Sequence, residues 1–265
     1  MNELSFRDEL DQKIMKLSEN IWESRVKRPT LEAWLNNFTP SSEEAECEQT
    51  HALYLLSNFT YFGVREIREM LKSAYRDKVK NPLVQSIRKQ LNNTKSADII
   101  LSAFEGEIAA TKFLGIGNPS ESGTHLLYFF RQENNLPKDY FIHSHQLLKI
   151  KRIRQRDEIS TEVSLGLPEV KRYVFIDDVC GSGSQVIKYM TEDGSISTMK
   201  ELNPDLEFIY ITLVASQKGL KAVRDKGIFD RVETIFELDS SYQCFSENSR
   251  YFPTGLKLPV SKAFA

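Results

Sequence analysis

No apolar run in this chain reaches the ~18 residues needed to span a bilayer, and Met1 to Asn20 alternates charge with hydrophobe where a signal peptide would carry an apolar core. A cytoplasmic protein with no membrane partner is therefore expected. Cysteine is scarce: Cys47, Cys180 and Cys244 are widely separated, with no C-x-x-C spacing, which argues against a disulfide framework or a thiolate metal site and for reduced thiols. The four histidines, His51, His125, His143 and His145, show no metal-ligand spacing with acids, and no protein-built metal site is expected. A formal net charge of -2 offers no excess of one sign to coat nucleic acid, so any such contact would be local. Internal repeats and low-complexity segments are also lacking. What is present, 265 residues of which 40% are hydrophobic, suffices for one substantial core plus a smaller helical unit.

Residues from about 30 to 110 have helical spacing. Val64, Ile67, Leu71, Ala74 and Tyr75 recur at three-and-four intervals, with Arg65 and Glu69 on the solvent side. Thr30 is a candidate cap for a helix carrying Trp34, Leu35 and Phe38, Ser41 with Glu44 fits a capping box, and Asn81-Pro82 should end the long helix. Beyond Leu101 the texture changes to short apolar strands alternating with helices, the pattern of βαβ units and a parallel sheet. Strands are expected near 111–116, 139–143, 172–177, 207–214 and 231–236. Helices are expected near 124–135, 183–203 with an interruption around Gly194, and 216–226. The fold class is thus α/β, with a helical region over 1–109 and an α/β domain over 110–265.

Chemistry concentrates in one turn. The buried-strand run Tyr173 to Ile176 empties into Asp177, Asp178, Val179, Cys180, Gly181, Ser182, Gly183, Ser184 and Gln185 before the helical Val186 to Met190. Ligands of open parallel sheets bind at the carboxyl ends of strands. Gly181 and Gly183 let backbone N–H groups curl toward an anion, and the next helix adds its positive end. The two carboxylates can accept hydrogen bonds from sugar hydroxyls, so acids followed by an anion cradle are complementary to a ribose 5-phosphate. A thiol this close to a helix start can also be acidified, which makes Cys180 a weak candidate nucleophile. A Walker A loop is excluded because no Gly-Lys-Ser/Thr follows Gly181, and a nucleophile elbow because neither Ser182 nor Ser184 is flanked by glycines two positions away.

A strand with two acids, a hydrophobe, a Gly/Ser-rich turn and a helix resembles the phosphoribosyl-diphosphate (PRPP) motif of type I phosphoribosyltransferases. Asp177 and Asp178 match its acidic pair and Ser182-Gly183 its Thr-Gly step, with Gln185 where a threonine is usual. The resemblance covers residues 110 to 237. It implies a phosphoribosyltransferase, a pentosyl-transferring enzyme, that uses Mg2+ with PRPP, with Asp177 and Asp178 on the ribose and Gly181, Ser182, Gly183, Ser184 and Gln185 on the 5-phosphate. It further implies a pyrophosphate loop at 117–123, where backbone N–H groups of Ser120, Ser122 and Gly123 face the leaving group beside Glu121. The stretch with Lys149, Lys151, Arg152, Arg154 and Arg156 corresponds to the mobile hood; alternate spacing gives it one cationic face, and Lys151 is its candidate substrate contact.

Two other readings of the same residues stay open. Cys180 to Gly183 also fits the cofactor loop of an S-adenosylmethionine-dependent DNA methyltransferase, although no Asn/Asp-Pro-Pro motif is present and the strand Ile209 to Val214 runs into Ala215-Ser216 instead of an acid. A site that has lost catalysis would persist as a nucleotide-sensing or partner-regulated module. Finally, Asn58 to Phe62 and the helix through Tyr75 resemble the extension of a phosphoribosyltransferase-like branch from bacterial conflict and anti-phage loci, including retron effectors. That implies a toxic effector restrained by a regulatory protein or nucleic acid acting on the N-terminal helices, which could equally form a homo-oligomer.

Overall fold

The computed structural model describes residues 5–41, 47–117, 122–155, 158–192 and 194–252. The chain forms two compact units, Met1–Ile67 with Asp239–Ala265, and Arg68–Leu238. The change of texture near residue 110 corresponds to the start of the sheet at Thr111; the compact units divide elsewhere. No helix among the described residues is long and apolar enough to cross a membrane.

In the first unit, α1 (Phe6–Asn20) opens on a capping box in which the Ser5 hydroxyl accepts from the Asp8 N–H and the Asp8 carboxylate accepts from the Ser5 N–H. It buries Leu10 and Ile14, one turn apart, against Trp22, Leu31 and Leu35 around α2 (Arg28–Leu35) and Leu53 and Tyr54 of α3 (Glu48–Ser57). The start of α2 corrects the sequence expectation. Pro29 occupies the first turn, where its missing N–H costs nothing, so the helix begins before Thr30. Helix α3 follows Cys47, and the Glu44 of the expected capping box lies outside the described residues. The C-terminal stretch closes this core: Phe252 packs 5.6 Å from the Tyr54 ring, whose hydroxyl donates to the Tyr251 carbonyl.

The second unit opens within α4 (Val64–Tyr75), which buries Leu71 and Ala74; Val64, expected on that face, is exposed. Asn81-Pro82 does not end the helical path. A π turn over Arg76–Lys80 joins α4 to α5 (Asn81–Gln90), with the Asn81 N–H donating to the Arg76 carbonyl. Proline deprives the carbonyl four residues back of its usual donor. That carbonyl belongs to Lys78, and the Arg231 guanidinium takes it at 2.9 Å. Helix α6 (Ala97–Ala109) then leads to the sheet.

Four parallel strands, in the order β1 (Thr111–Gly115), β4 (Arg172–Cys180), β5 (Glu207–Ser216) and β6 (Arg231–Leu238), make that sheet. Long apolar runs in β4 and β5 reflect burial on both faces, as an all-parallel sheet requires. One face carries Tyr173, Phe175, Phe208 and Tyr210 under α8 (Ser184–Thr191), α9 (Ser195–Leu202) and α10 (Gln217–Asp225). The other carries Phe113, against which Phe130 of α7 (Ser122–Glu133) and Tyr75 of α4 pack. The strand expected at 139–143 is not one: a 3-10 turn over Lys138–Tyr140 leaves a single bridge, Phe113 to Phe141, at the sheet margin.

The basic stretch forms an antiparallel hairpin, β2 (Leu148–Gln155) and β3 (Glu158–Leu165). Strand alternation places Lys149 and Lys151 on one face and Arg152 on the other, so a single cationic face does not exist. Lys151 stands opposite Glu162 in the register. The hairpin is rooted at Gly166, whose N–H donates to the Leu147 carbonyl at 2.8 Å; a Cβ there would lie 1.8 Å from the Gln146 carbonyl oxygen.

Candidate functional site

The site is the carboxyl edge of β4. Strand geometry continues through the acids to Cys180, so Asp177 and Asp178 point to opposite faces. Asp177 shares the face of Phe175 and Tyr210. Asp178 shares the face of Val174 and Ile176, the side on which α7 packs.

Asp177 lines a cavity of about 200 Å³ together with Val179, Gly181, Ser182, Gly183 and Gln185. At its back, the fully buried Tyr210 donates its hydroxyl to Asp177 Oδ2 at 2.6 Å, and the Asp178 N–H donates to Oδ1 at 3.0 Å. Burial dominates nonetheless. It pushes the Asp177 carboxyl up to about 6, with the neighbouring Asp178 charge adding to the rise and the Tyr210 hydrogen bond opposing it. Burial likewise raises Cys180, against the acidification that its place before a helix start suggested, so it is not set up as a thiolate nucleophile.

The turn is held by backbone contacts from β5 and α10. Gly183 caps α8 at φ 77°, a left-handed conformation suited to glycine, and a Cβ there would lie 2.9 Å from the Gly219 carbonyl oxygen. A Cβ on Gly219 would in turn lie 2.3 Å from the Gly181 carbonyl oxygen. Ser216 joins the two loops: its hydroxyl donates to the Gly181 carbonyl and accepts the Gly219 N–H at 2.9 Å. Ser182 Oγ contacts Ser184 Oγ at 3.0 Å and accepts the Ser184 N–H. The first turn of α8 presents the N–H groups that a helix leaves without helical acceptors, beside the cavity.

Tyr210, Ser216 and Gly219 escaped the sequence reading. The available signal was a phenol inside the apolar run Phe208–Val214, one register step from the acid, since Tyr210 pairs with Phe175 two residues before Asp177.

The loop expected to hold pyrophosphate leaves the same sheet edge. Gly115 pairs with Ile176, the Ile116 N–H donates to the Ile176 carbonyl at 3.3 Å, and Gly117 turns at φ 97°. Ser120 and Glu121 lie outside the described residues, as does Arg156 of the hairpin. Ser122 and Gly123 begin α7. Lys151 is exposed and does not line the cavity. Among the described residues no group of three His, Cys, Asp or Glu side chains could hold a metal ion. A larger cleft, about 610 Å³ among Trp34, Phe38, Leu55 and Phe59, lies in the first unit. Its wall is mainly apolar, and its one carboxylate, Glu48, already accepts the Thr39 N–H at 2.6 Å, so volume alone does not make it the reactive site.

The PRTase-CE family profile matches residues 31–265. No curated protein matches. Among solved structures, the chain is similar to the AQ2163 protein from Aquifex aeolicus, at 11% identity over 81% of this chain and 86% of that one, with a TM-score of 0.34. It is also similar to orotate phosphoribosyltransferase from Aeropyrum pernix, at 15% identity over 67% and 78% of the two chains, TM-score 0.28. A third is adenine phosphoribosyl transferase from Trypanosoma brucei in complex with AMP, pyrophosphate and ribose-5-phosphate, at 12% identity over 86% of each chain, TM-score 0.29.

Proposed function

The chain belongs to the PRTase-CE family, and from that premise we propose that the β4 edge binds PRPP and transfers its phosphoribosyl group to an acceptor. The observation that carries the reading is the junction of a half-buried, hydrogen-bonded carboxylate with a glycine-built anion cradle in one cavity. In this reading Asp177 accepts from a ribose hydroxyl, and its raised pKa makes it a strong acceptor while leaving it mostly ionised near neutrality. Backbone groups from Gly181 to Gln185 and the Ser182 and Ser184 hydroxyls hold the 5-phosphate. The acceptor forms its bond to C1 as the bond from C1 to the diphosphate oxygen breaks, and that electron pair leaves with pyrophosphate. Positive charge accumulates on the ribose in between, and the nearby carboxylates oppose its cost.

The donor set suits Mg2+ carried in on the diphosphate better than a resident ion: two adjacent carboxylates are present, and Mg2+ commonly takes one or two with substrate phosphates. Asp178, half-buried on the α7 face with one oxygen accepting the Val179 N–H at 2.8 Å, would supply a carboxylate oxygen to it. When bound, the ion neutralises diphosphate charge.

Calorimetric titration with Mg-PRPP, followed by a pyrophosphate-release assay over bases, nucleosides and nucleotides, tests this. Heat and turnover are expected, and both should vanish in Asp177→Asn/Asp178→Asn. Binding of ribose 5-phosphate without turnover would favour the sensing module, for which Gln185 in the cavity wall is the motivating residue. Binding of S-adenosylmethionine in place of PRPP would favour the methyltransferase.

The defence role rests on the resemblance of Asn58 to Tyr75 to the conflict-associated extension. Expression of the chain alone in bacteria should be toxic, and the double variant harmless. Equal harmlessness of both would remove the effector reading.

A further inference from the structure

We propose that His143 and His145 hold the diphosphate end of PRPP, and pyrophosphate before its release, as N–H donors on the α7 side of the sheet edge. The proposal rests on the PRPP reading of the β4 edge and adds to it the side chains that face the leaving group. Sheet register places them there. Phe141 bridges Phe113 in parallel, with ring centroids 5.4 Å apart, and Phe113 in turn pairs with Val174 of β4. The backbone is extended at both Phe141 and His143. Neighbours across a sheet share a face and successive residues alternate, so Phe141 lies on the Val174 face, Ile142 joins Leu114 in the core on the other, and His143 returns to the first. That is the face of Asp178. His143 stands level with Gly115 and Ile176, two residues short of Asp178 and two strand spacings, about 10 Å, from β4.

The space between is open. Gly115 occupies the position between His143 and Ile176 on this face and carries no side chain, and the chain turns at Gly117 with φ 97°. With a hydrogen bond of about 3 Å at each end, the gap admits a small polyanion that reaches from the Asp178 side to the histidines. Both imidazoles are exposed. The His143 ring accepts the Gln146 N–H and so caps the 3-10 turn Ser144–Gln146. An imidazole that accepts at one nitrogen carries its proton on the other, which leaves an N–H donor for a ligand. His145 stacks beside it, centroids 5.6 Å apart and planes 10° apart, and donates an N–H in either protonation state. As the bond from C1 to the diphosphate oxygen breaks, its electron pair adds charge to the pyrophosphate, and donors already in place on the far end favour that charge.

Calorimetry of the full chain with Mg-pyrophosphate, Mg-PRPP and ribose 5-phosphate tests the assignment. The parent is expected to bind all three. His143→Ala and His145→Ala should each weaken Mg-pyrophosphate and Mg-PRPP roughly tenfold or more and leave ribose 5-phosphate unchanged. His145 makes no hydrogen bond among the described residues, so its substitution leaves the turn intact where that of His143 removes a cap. Mg-pyrophosphate binding that either substitution leaves at parental strength, with ribose 5-phosphate still bound, overturns the assignment while the PRPP reading stands. Equal weakening of all three ligands assigns the pair a structural role and overturns it too. A parent that binds neither ribose 5-phosphate nor PRPP removes both the assignment and the reading.

Discussion

Asp177→Asn should make the protein more stable above pH 6 while removing the ribose contact proposed for this carboxylate. The carboxyl sits at about 6 in the fold against an ordinary 3.8, a difference of about 2 units, or about 3 kcal/mol at 1.36 kcal/mol per unit. The sign follows from proton binding. Below pH ~4 both folded and unfolded chains hold the proton and the acid costs nothing. Between about pH 4 and 6 the unfolded chain ionises first, so stability falls as pH rises; above 6 the cost is complete and constant. Asparagine keeps the shape and an acceptor for the Tyr210 hydroxyl, and the charge-assisted part of that bond is already contained in the shift. The net gain is therefore about 3 kcal/mol at pH 8, shrinking to near zero by pH 4. Urea unfolding of both proteins over this range, without Mg2+, gives the difference curve. A difference that does not change with pH, or a variant less stable than the parent at pH 8, would refute burial as the origin of the shift. Tyr210→Phe supplies an independent check. Its hydroxyl favours the charged carboxylate, so its removal should move the Asp177 midpoint above 6 and extend the falling part of the stability curve to higher pH, its onset near pH 4 unchanged.

Gly219→Ala places a methyl group 2.3 Å from the Gly181 carbonyl oxygen, so the turn must shift. A loss of about 1–3 kcal/mol in stability is expected, together with weakened ribose 5-phosphate binding by calorimetry. Tyr173 is fully buried with a hydroxyl that has no hydrogen-bond partner among the described residues. Tyr173→Phe should therefore stabilise by about 1 kcal/mol, read as a higher thermal midpoint, with ligand binding unchanged.

The strand-acid-glycine-helix turn was legible in the sequence because each part is local: an apolar run makes β4, the acids follow it directly, and Gly183 takes the left-handed conformation that starts α8. The βαβ texture likewise announced the parallel sheet, with the strands near 111, 172, 207 and 231 where expected. Local rules failed where a distant partner changed the energy of a segment. Asn81-Pro82 reads as a helix end, yet Arg231 from β6 supplies the donor that the Lys78 carbonyl lacks, and the helical path continues. The apolar run at 139–143 reads as a strand, but only Phe141 reaches a pairing partner. The sequence by itself determined that two acids and a glycine turn follow the apolar run of β4, the residues proposed to bind ribose phosphate. Tertiary structure decided how they are tuned and held, because Tyr210, Ser216 and Gly219 meet the turn only once β5 is paired with β4, and burial of Asp177 is a property of the packed sheet.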